Sequence, residues 1–234
     1  MKKNILFTMF LALVAFTVTS CGDKESEGLS RITYYPTIEL EGDSYLVWDK
    51  GTAYEEPGYT SMMGNDDVTD QVVVTGRVDT NTSGIYTLTY TTAKNEDGFG
   101  ASATRTVVVL DPNSAIEGFW LTTPDSYREY NGEVAYGRSY EILVIDNGDG
   151  TYTIDDLLGG WYCQRAGYGS AYAMEGIISI DDDGTIGLVD SYVPGWGDWA
   201  EDLEGTYDAE TNTLTWAVTY TDYPFIFHVT LNKE

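Results

Sequence analysis

Thr213-Leu214-Thr215-Trp216-Ala217-Val218-Thr219-Tyr220, followed after a short break by Phe225-Ile226-Phe227-His228-Val229-Thr230-Leu231, decides the fold class. Leu214, Trp216, Val218 and Tyr220 fall on one face of the first run. Phe225, Phe227, Val229 and Leu231 fall on one face of the second. Strict alternation of this kind marks half-buried strands. Upstream, residues 116–121, 140–145, 151–154, 159–163, 173–180 and 185–189 read as further short strands between Gly- and Asp-rich turns. About eight strands in simple succession predict an up-and-down antiparallel barrel for residues 116–234, with a second sandwich as the alternative.

The region before it is also β-built. Residues 38–40, 45–48, 71–75, 85–90 and 104–110 read as strands, and Tyr86, Leu88 and Tyr90 share one face. Gly58, Gly64, Gly76, Gly84 and Gly98 punctuate them. An antiparallel sandwich over 31–111 is expected. Pro112 cannot continue a ladder, so 112–115 is read as a linker. The chain is thus expected to be all-β, a sandwich followed by a barrel.

Particular residues also carry a resemblance. The stretch from Gly51 to Asp111, with Tyr54 to Gly58, Val78-Asp79-Thr80, Gly84 with Tyr86 and Tyr90, and Arg105 before a valine run, resembles the bacterial immunoglobulin-like domain of surface proteins. That resemblance implies a spacer or adhesion module without catalytic residues. Gly118-Phe119-Trp120 resembles the Gly-x-Trp that opens lipocalin-like barrels.

Lys2, Lys3 and the apolar run of residues 5–18 form a signal peptide over 1–20. The run is too short for an ordinary membrane span. Val18-Thr19-Ser20-Cys21 resembles a lipobox, which implies acylation of Cys21. Gly22-Asp23-Lys24-Glu25, within an acidic tether over 21–30, resembles the export signal of surface lipoproteins in the Bacteroidota. That likeness implies an outer-membrane protein, lipid-anchored and facing the cell exterior.

The chain carries 12 Lys+Arg against 38 Asp+Glu, a net charge of −26. Nucleic-acid binding, which rests on neutralising phosphates, is excluded as a function class. With Cys21 acylated, Cys163 is the one remaining cysteine, so neither a disulfide framework nor a cysteine metal site is expected. One histidine, His228, excludes ordinary histidine metal clusters and argues against a Ser-His-Asp triad. Acidic turns at 146–150 and 181–184 lack the later bidentate glutamate of a calcium loop and read as hairpin turns.

The stretch from Tyr192 to Asp202 places Trp196 and Trp199 among Gly, Pro and acids. Trp161, Tyr162, Tyr168 and Tyr172 form a second aromatic-glycine region. Flat rings at a loop tip can stack on the apolar face of a sugar while carboxylates accept its hydroxyls. Tyr192, Trp196, Trp199, Trp161, Tyr162, Tyr168 and Tyr172 are therefore the candidate ligand-binding residues at a barrel mouth. The competing reading has Trp196 and Trp199 folding back to plug the barrel. No catalytic, metal or cofactor residue is assigned. The layout resembles accessory lipoproteins of starch-utilisation-type uptake systems. It implies non-catalytic capture of a glycan or peptide beside an outer-membrane transporter and its lipoprotein lid. The alternative is a docking subunit with no ligand of its own.

Overall fold

A computed structural model describes residues 32–233. The signal peptide, Cys21 and the 21–30 tether lie outside the described residues, as does the first residue of the expected sandwich.

Strands β1 (Pro36–Leu40), β3 (Tyr59–Met63) and β4 (Asp66–Asp67) form one sheet, in the order β1-β3-β4. Strands β2 (Tyr45–Asp49), β5 (Val73–Thr75), β6 (Gly84–Thr91) and β7 (Ser102–Leu110) form another, in the order β2-β7-β6-β5. One expectation is corrected: the sandwich is not wholly antiparallel. β2 runs parallel to β7, with Tyr45 opposite Thr106 and Asp49 opposite Leu110. The chain leaves one sheet at Leu40 and enters the other at Tyr45, and alternation reveals faces but not direction. β3 escaped the sequence reading because its buried position is Ser61, a polar residue. The strand expected over 71–75 is shortened to β5, since Thr69–Gln71 forms a 3-10 turn.

Arg105 joins the sandwich internally. It is fully buried on β7, donates to Glu56 Oε1 (2.5 Å), and reaches the carbonyls of Glu41 (2.6 Å) and Gly58 (3.3 Å) between the strands of the other sheet. One rigid, always-charged fork thus closes two carbonyls and a carboxylate at once.

The second half is a closed eight-stranded antiparallel barrel. Its strands are β8 (Gly118–Thr122), β11 (Glu141–Asp146), β12 (Thr151–Ile154), β13 (Glu175–Ile180), β14 (Thr185–Tyr192), β15 (Ala200–Asp208), β16 (Thr213–Tyr220) and β17 (Ile226–Lys233). A hairpin of β9 (Tyr127–Glu129) and β10 (Glu133–Ala135) extends beside β17. Closure is made by β17 on β8, with Leu231 opposite Thr122 and Lys233 opposite Trp120. That pairing settles barrel against second sandwich. Leu214, Trp216, Val218, Phe227, Val229 and Leu231 are buried inside, on the faces their alternation assigns. Trp120 and Trp216 satisfy their indole N–H groups internally, on the carbonyls of Ile116 (2.7 Å) and Leu157 (2.8 Å).

Two further corrections fall here. Residues 159–163 are not a strand: Gly159 and Gly160 take φ of 59° and 85°, and the chain winds into a π-helical turn over Trp161–Arg165. A Cβ on Gly160 would lie 2.6 Å from Tyr140, so the tight approach requires glycine. β15 was not foreseen because a bulge at Ala200/Asp202 breaks its period, leaving Ala200 and Leu203 both buried at a spacing of three.

The two halves meet in a small apolar contact of Val108 and Leu110 with Leu143, Ile145 and Phe119. The buried Glu117 carboxylate accepts from Ser83 Oγ (3.0 Å) and the Asp111 amide (3.0 Å). Lys233 Nζ donates to the carbonyls of Ser114 (2.6 Å) and Ala115 (2.8 Å). Residues 112–115 are therefore pinned from both sides.

Beside this contact, Asp155 accepts the Leu143 amide (2.9 Å). Burial, with the neighbouring Asp156 charge adding and the Leu143 bond opposing, pushes its carboxyl up to about 7. The folded state then holds the Asp155 proton more tightly than the unfolded chain. Stability contributed by this group is complete at about pH 4 and is lost as pH rises to about 7. Asp155→Asn keeps the acceptor and removes the charge. We expect the variant to be more stable than wild type by about 1–3 kcal/mol at pH 8, with the gap vanishing near pH 4. Thermal melts of both proteins across that range check it; an unchanged gap at all pH values would contradict it.

Candidate functional site

The site begins with a buried carboxylate. Asp156 Oδ1 accepts the amides of Leu158 (2.9 Å) and Met174 (3.0 Å). Its Oδ2 accepts the Gly160 amide (2.9 Å) and the Cys163 thiol (3.1 Å). Burial pushes the Asp156 carboxyl up, against the pull of these donors. The arrangement ties both ends of the 156–174 segment to one side chain. It also holds Cys163 as a thiol: burial and the Asp156 charge raise its pKa well above the ordinary range, the reverse of what a nucleophile needs.

Within that segment the π-helical turn separates consecutive rings. Trp161 points inward and is buried, packed on Tyr136 (5.0 Å) and Phe227 (5.9 Å), with Arg165 (4.1 Å) and Arg128 (5.0 Å) over its ring. Tyr162 meets the loops outside. It stands edge-on to Trp196 (4.8 Å, 88°) and stacks with Tyr168 (6.2 Å, 18°). Tyr172 touches both Trp196 (4.8 Å) and Tyr168 (5.6 Å).

Trp196 reaches this group because its loop is stitched to the other. The Gly195 amide donates to the Ala171 carbonyl at 2.6 Å, and a Cβ on Gly195 would collide with the Tyr172 ring. A bridge between Val193 and Asp198 closes the loop and puts Trp196 at its tip.

Of the seven sequence candidates, Tyr162, Tyr168, Tyr172 and Trp196 come together. Trp161 lies beneath them in the core and offers no face to a ligand. Tyr192 and Trp199 are each about half exposed, at 51%, but stand outside the cluster. Tyr192 lines a separate shallow groove with Glu175 and Asp190. Trp199 follows the Val193–Asp198 bridge and so leaves the loop tip.

The sequence reading missed a second wall. A cleft of about 240 Å³ is lined by Tyr162, Tyr168, Trp196, Asp198, Tyr220, Tyr223 and Phe225. Tyr223 and Phe225 stack nearly parallel (5.7 Å, 4°), and Arg128 sits over Phe225 (5.0 Å). Tyr220 donates to Asp198 Oδ2 at 3.3 Å; burial and that carboxylate raise its pKa. The signal lies in the aromatic density of residues 220–225, where strand alternation places Tyr220 and Phe225 on buried faces and leaves Tyr223 in the break between the strands. Chemically, the cleft offers flat apolar faces, phenolic hydroxyls and one carboxylate acceptor.

The other flagged groups have structural partners. His228 stacks on Tyr127 (4.3 Å) and lies 3.2 Å from Glu129 Oε2. The turn carboxylates of Asp146, Asp149 and Asp183 accept backbone amides of their own turns. Among the described residues no group of three His, Cys, Asp or Glu side chains is placed to hold a metal ion.

Comparison with known proteins gives the following. A family model described as a C-terminal domain matches residues 109–233, and the bacterial surface protein Ig-like domain matches residues 38–109. No curated protein matches the chain. The crystal structure of lipoprotein BT2262 from Bacteroides thetaiotaomicron is 42% identical, covers 85% of this chain and 100% of its own, and superposes with a TM-score of 0.68. The CBM51-2 and INT domains of Clostridium perfringens ZmpB, in complex with GlcNAc, match at 19% identity over 50% of this chain and 31% of theirs. Their TM-score of 0.27 is too low for that likeness to bear on fold or ligand.

Proposed function

The chain belongs to the family of that Bacteroides lipoprotein, and from this premise we propose that it is a cell-surface lipoprotein whose barrel mouth captures a glycan. In this reading Cys21 carries the lipid, the outer membrane holds the anchor, and the protein faces the cell exterior. It delivers ligand to an outer-membrane transporter and performs no reaction itself.

One observation carries the reading. Rings from two stitched loops and from the β16–β17 hairpin converge on a single cleft, with Asp198 at its edge. Stacked aromatic walls suit the C–H faces of a pyranose, and a carboxylate with phenols suits its hydroxyls. The rings are held by each other before any ligand arrives, so little ordering cost opposes binding. A neutral sugar also fits a protein of net charge −26 better than an anionic one does.

Affinity electrophoresis of the mature chain against a panel of neutral polysaccharides tests this. Wild type is expected to be retarded by at least one member. Trp196→Ala should weaken that retardation at least ~10-fold, a loss of about 1.4 kcal/mol. Trp199→Ala, outside the cluster, should bind as wild type does. Equal retardation of wild type and Trp196→Ala would move the site elsewhere. Retardation by no glycan, together with co-purification of a transporter, would instead favour the docking role.

A further inference from the structure

The cleft beside Trp196 is a slot, and its shape limits how a glycan can enter. Its rings fall into two groups. Tyr162, Tyr168 and Trp196 contact one another on one side, while Tyr223 packs on both Tyr220 and Phe225 on the other. Phe227, fully buried, joins the groups from beneath, 5.9 Å from Tyr162 and 6.3 Å from Tyr220. Above it the two groups share no ring contact among the described residues. Tyr220 is 3% exposed and lies at the floor, whereas Trp196, Tyr168 and Tyr223 stand 41, 56 and 51% exposed at the rim.

One end of the slot is shut. Asp198 belongs to the Trp196 loop and Tyr220 to β16, so the bond from the Tyr220 hydroxyl to Asp198 Oδ2 (3.3 Å) crosses from one group to the other. One residue further along each segment, the Thr221 amide donates to the Trp199 carbonyl (3.2 Å) and ties the loop to the hairpin again. The volume, about 240 Å³, falls below the roughly 300 Å³ at which pockets for drug-sized ligands begin. It holds one sugar ring and not a run of them.

We propose that the cleft takes the non-reducing terminal residue of a glycan and no residue from a chain interior. The inference rests on the capture reading and names the part of the glycan that is read. The terminal ring lies between the Trp196 and Tyr223 walls with its free hydroxyls toward Asp198, and its single linkage leaves by the open end. A carboxylate accepts hydrogen bonds and does not donate, so it matches hydroxyls. An interior residue presents a glycosidic oxygen there, which brings no proton, and its next sugar meets the Asp198–Tyr220 closure. A branched glycan offers many non-reducing ends and a single reducing one.

Competition in affinity electrophoresis of the mature chain tests this, using the polysaccharide that retards wild type. The methyl glycoside of its terminal sugar, blocked at the reducing carbon, should abolish retardation. Oligosaccharides of increasing length cut from the same polymer should compete within ~3-fold of it, mole for mole. Tyr223→Ala should weaken retardation at least ~10-fold, because the ring is held from both sides. Wild-type retardation of Tyr223→Ala would mean a one-sided platform and overturn the proposal. An inert methyl glycoside, beside oligosaccharides that gain ~10-fold or more with length, overturns terminal recognition and leaves glycan capture standing. Retardation by no polysaccharide overturns both.

Discussion

Asp156→Ala will cost about 3–6 kcal/mol and loosen the whole 156–174 segment. The carboxylate is buried and accepts three backbone amides and the Cys163 thiol. Alanine leaves the amides of Leu158, Gly160 and Met174 without their acceptor, at about 1–3 kcal/mol for each buried donor stranded. Asp156→Asn should cost less, about 2 kcal/mol, because its carbonyl still serves one side while its NH₂ group faces a donor on the other. Loss on this scale is a large share of the about 5–15 kcal/mol that stabilises a typical domain. Denaturant unfolding followed by near-ultraviolet circular dichroism measures it, since Trp161 and Tyr162 sit in the affected turn. The alanine variant should also lose retardation by any glycan that wild type binds, because Tyr162, Tyr168 and Tyr172 depend on this anchor for their positions. A midpoint shift corresponding to less than about 1 kcal/mol would show that the segment holds itself without the carboxylate.

The second large effect is expected in the other half. Arg105→Leu should destabilise the sandwich by about 2–4 kcal/mol, since charge-assisted hydrogen bonds are worth about 1.5–3 kcal/mol each and the Glu56 partner stays solvent-accessible. It removes the donor of the Glu41 carbonyl, while the exposed Glu56 carboxylate keeps the Tyr54 hydroxyl and the Gly58 carbonyl keeps the Glu41 amide. Arg105→Lys keeps the charge but not the fork. One ammonium cannot reach three acceptors in those directions, so it too should cost about 2 kcal/mol. The barrel has its own core, and its unfolding should stay near that of wild type. Hydrogen exchange resolves the two halves: β6 and β7 amides should open sooner in the leucine variant while β16 and β17 amides keep their protection. Protection lost equally in both halves would mean that the contact of Val108 and Leu110 with Leu143 and Ile145 makes them one cooperative unit.

Arg105 and the Tyr54 to Gly58 stretch were visible in the sequence as parts of the immunoglobulin-like resemblance, although their pairing, and the part of Glu41 in it, was not. Asp156 was not visible at all. In Ile154-Asp155-Asp156-Leu157-Leu158-Gly159-Gly160 it reads as one more acid in an acidic chain, and only burial by the barrel makes it the anchor of the site. The candidate residues divide in the same way. Trp196 and Trp199 are near-equivalent by composition, yet a single bridge from Val193 to Asp198 places one at a loop tip and the other past it. Trp161 and Tyr162 are adjacent, and the π-helical turn sends one ring into the core and the other out to the cleft.

Period-two alternation determined that the chain is β-built and which faces of β16 and β17 are buried, because a strand's side chains alternate whatever it pairs with. The basic start and apolar run carried the expectation of a signal peptide, and the resemblance of Val18-Thr19-Ser20-Cys21 to a lipobox carried that of a lipid anchor. Closure of the barrel was decided only in three dimensions, where β17 meets β8 across more than a hundred residues, for no local pattern records a partner that far away. The cleft was decided there too: its walls come from three separated segments, and their convergence depends on Asp156 and on the Gly195 to Ala171 bond rather than on any spacing along the chain.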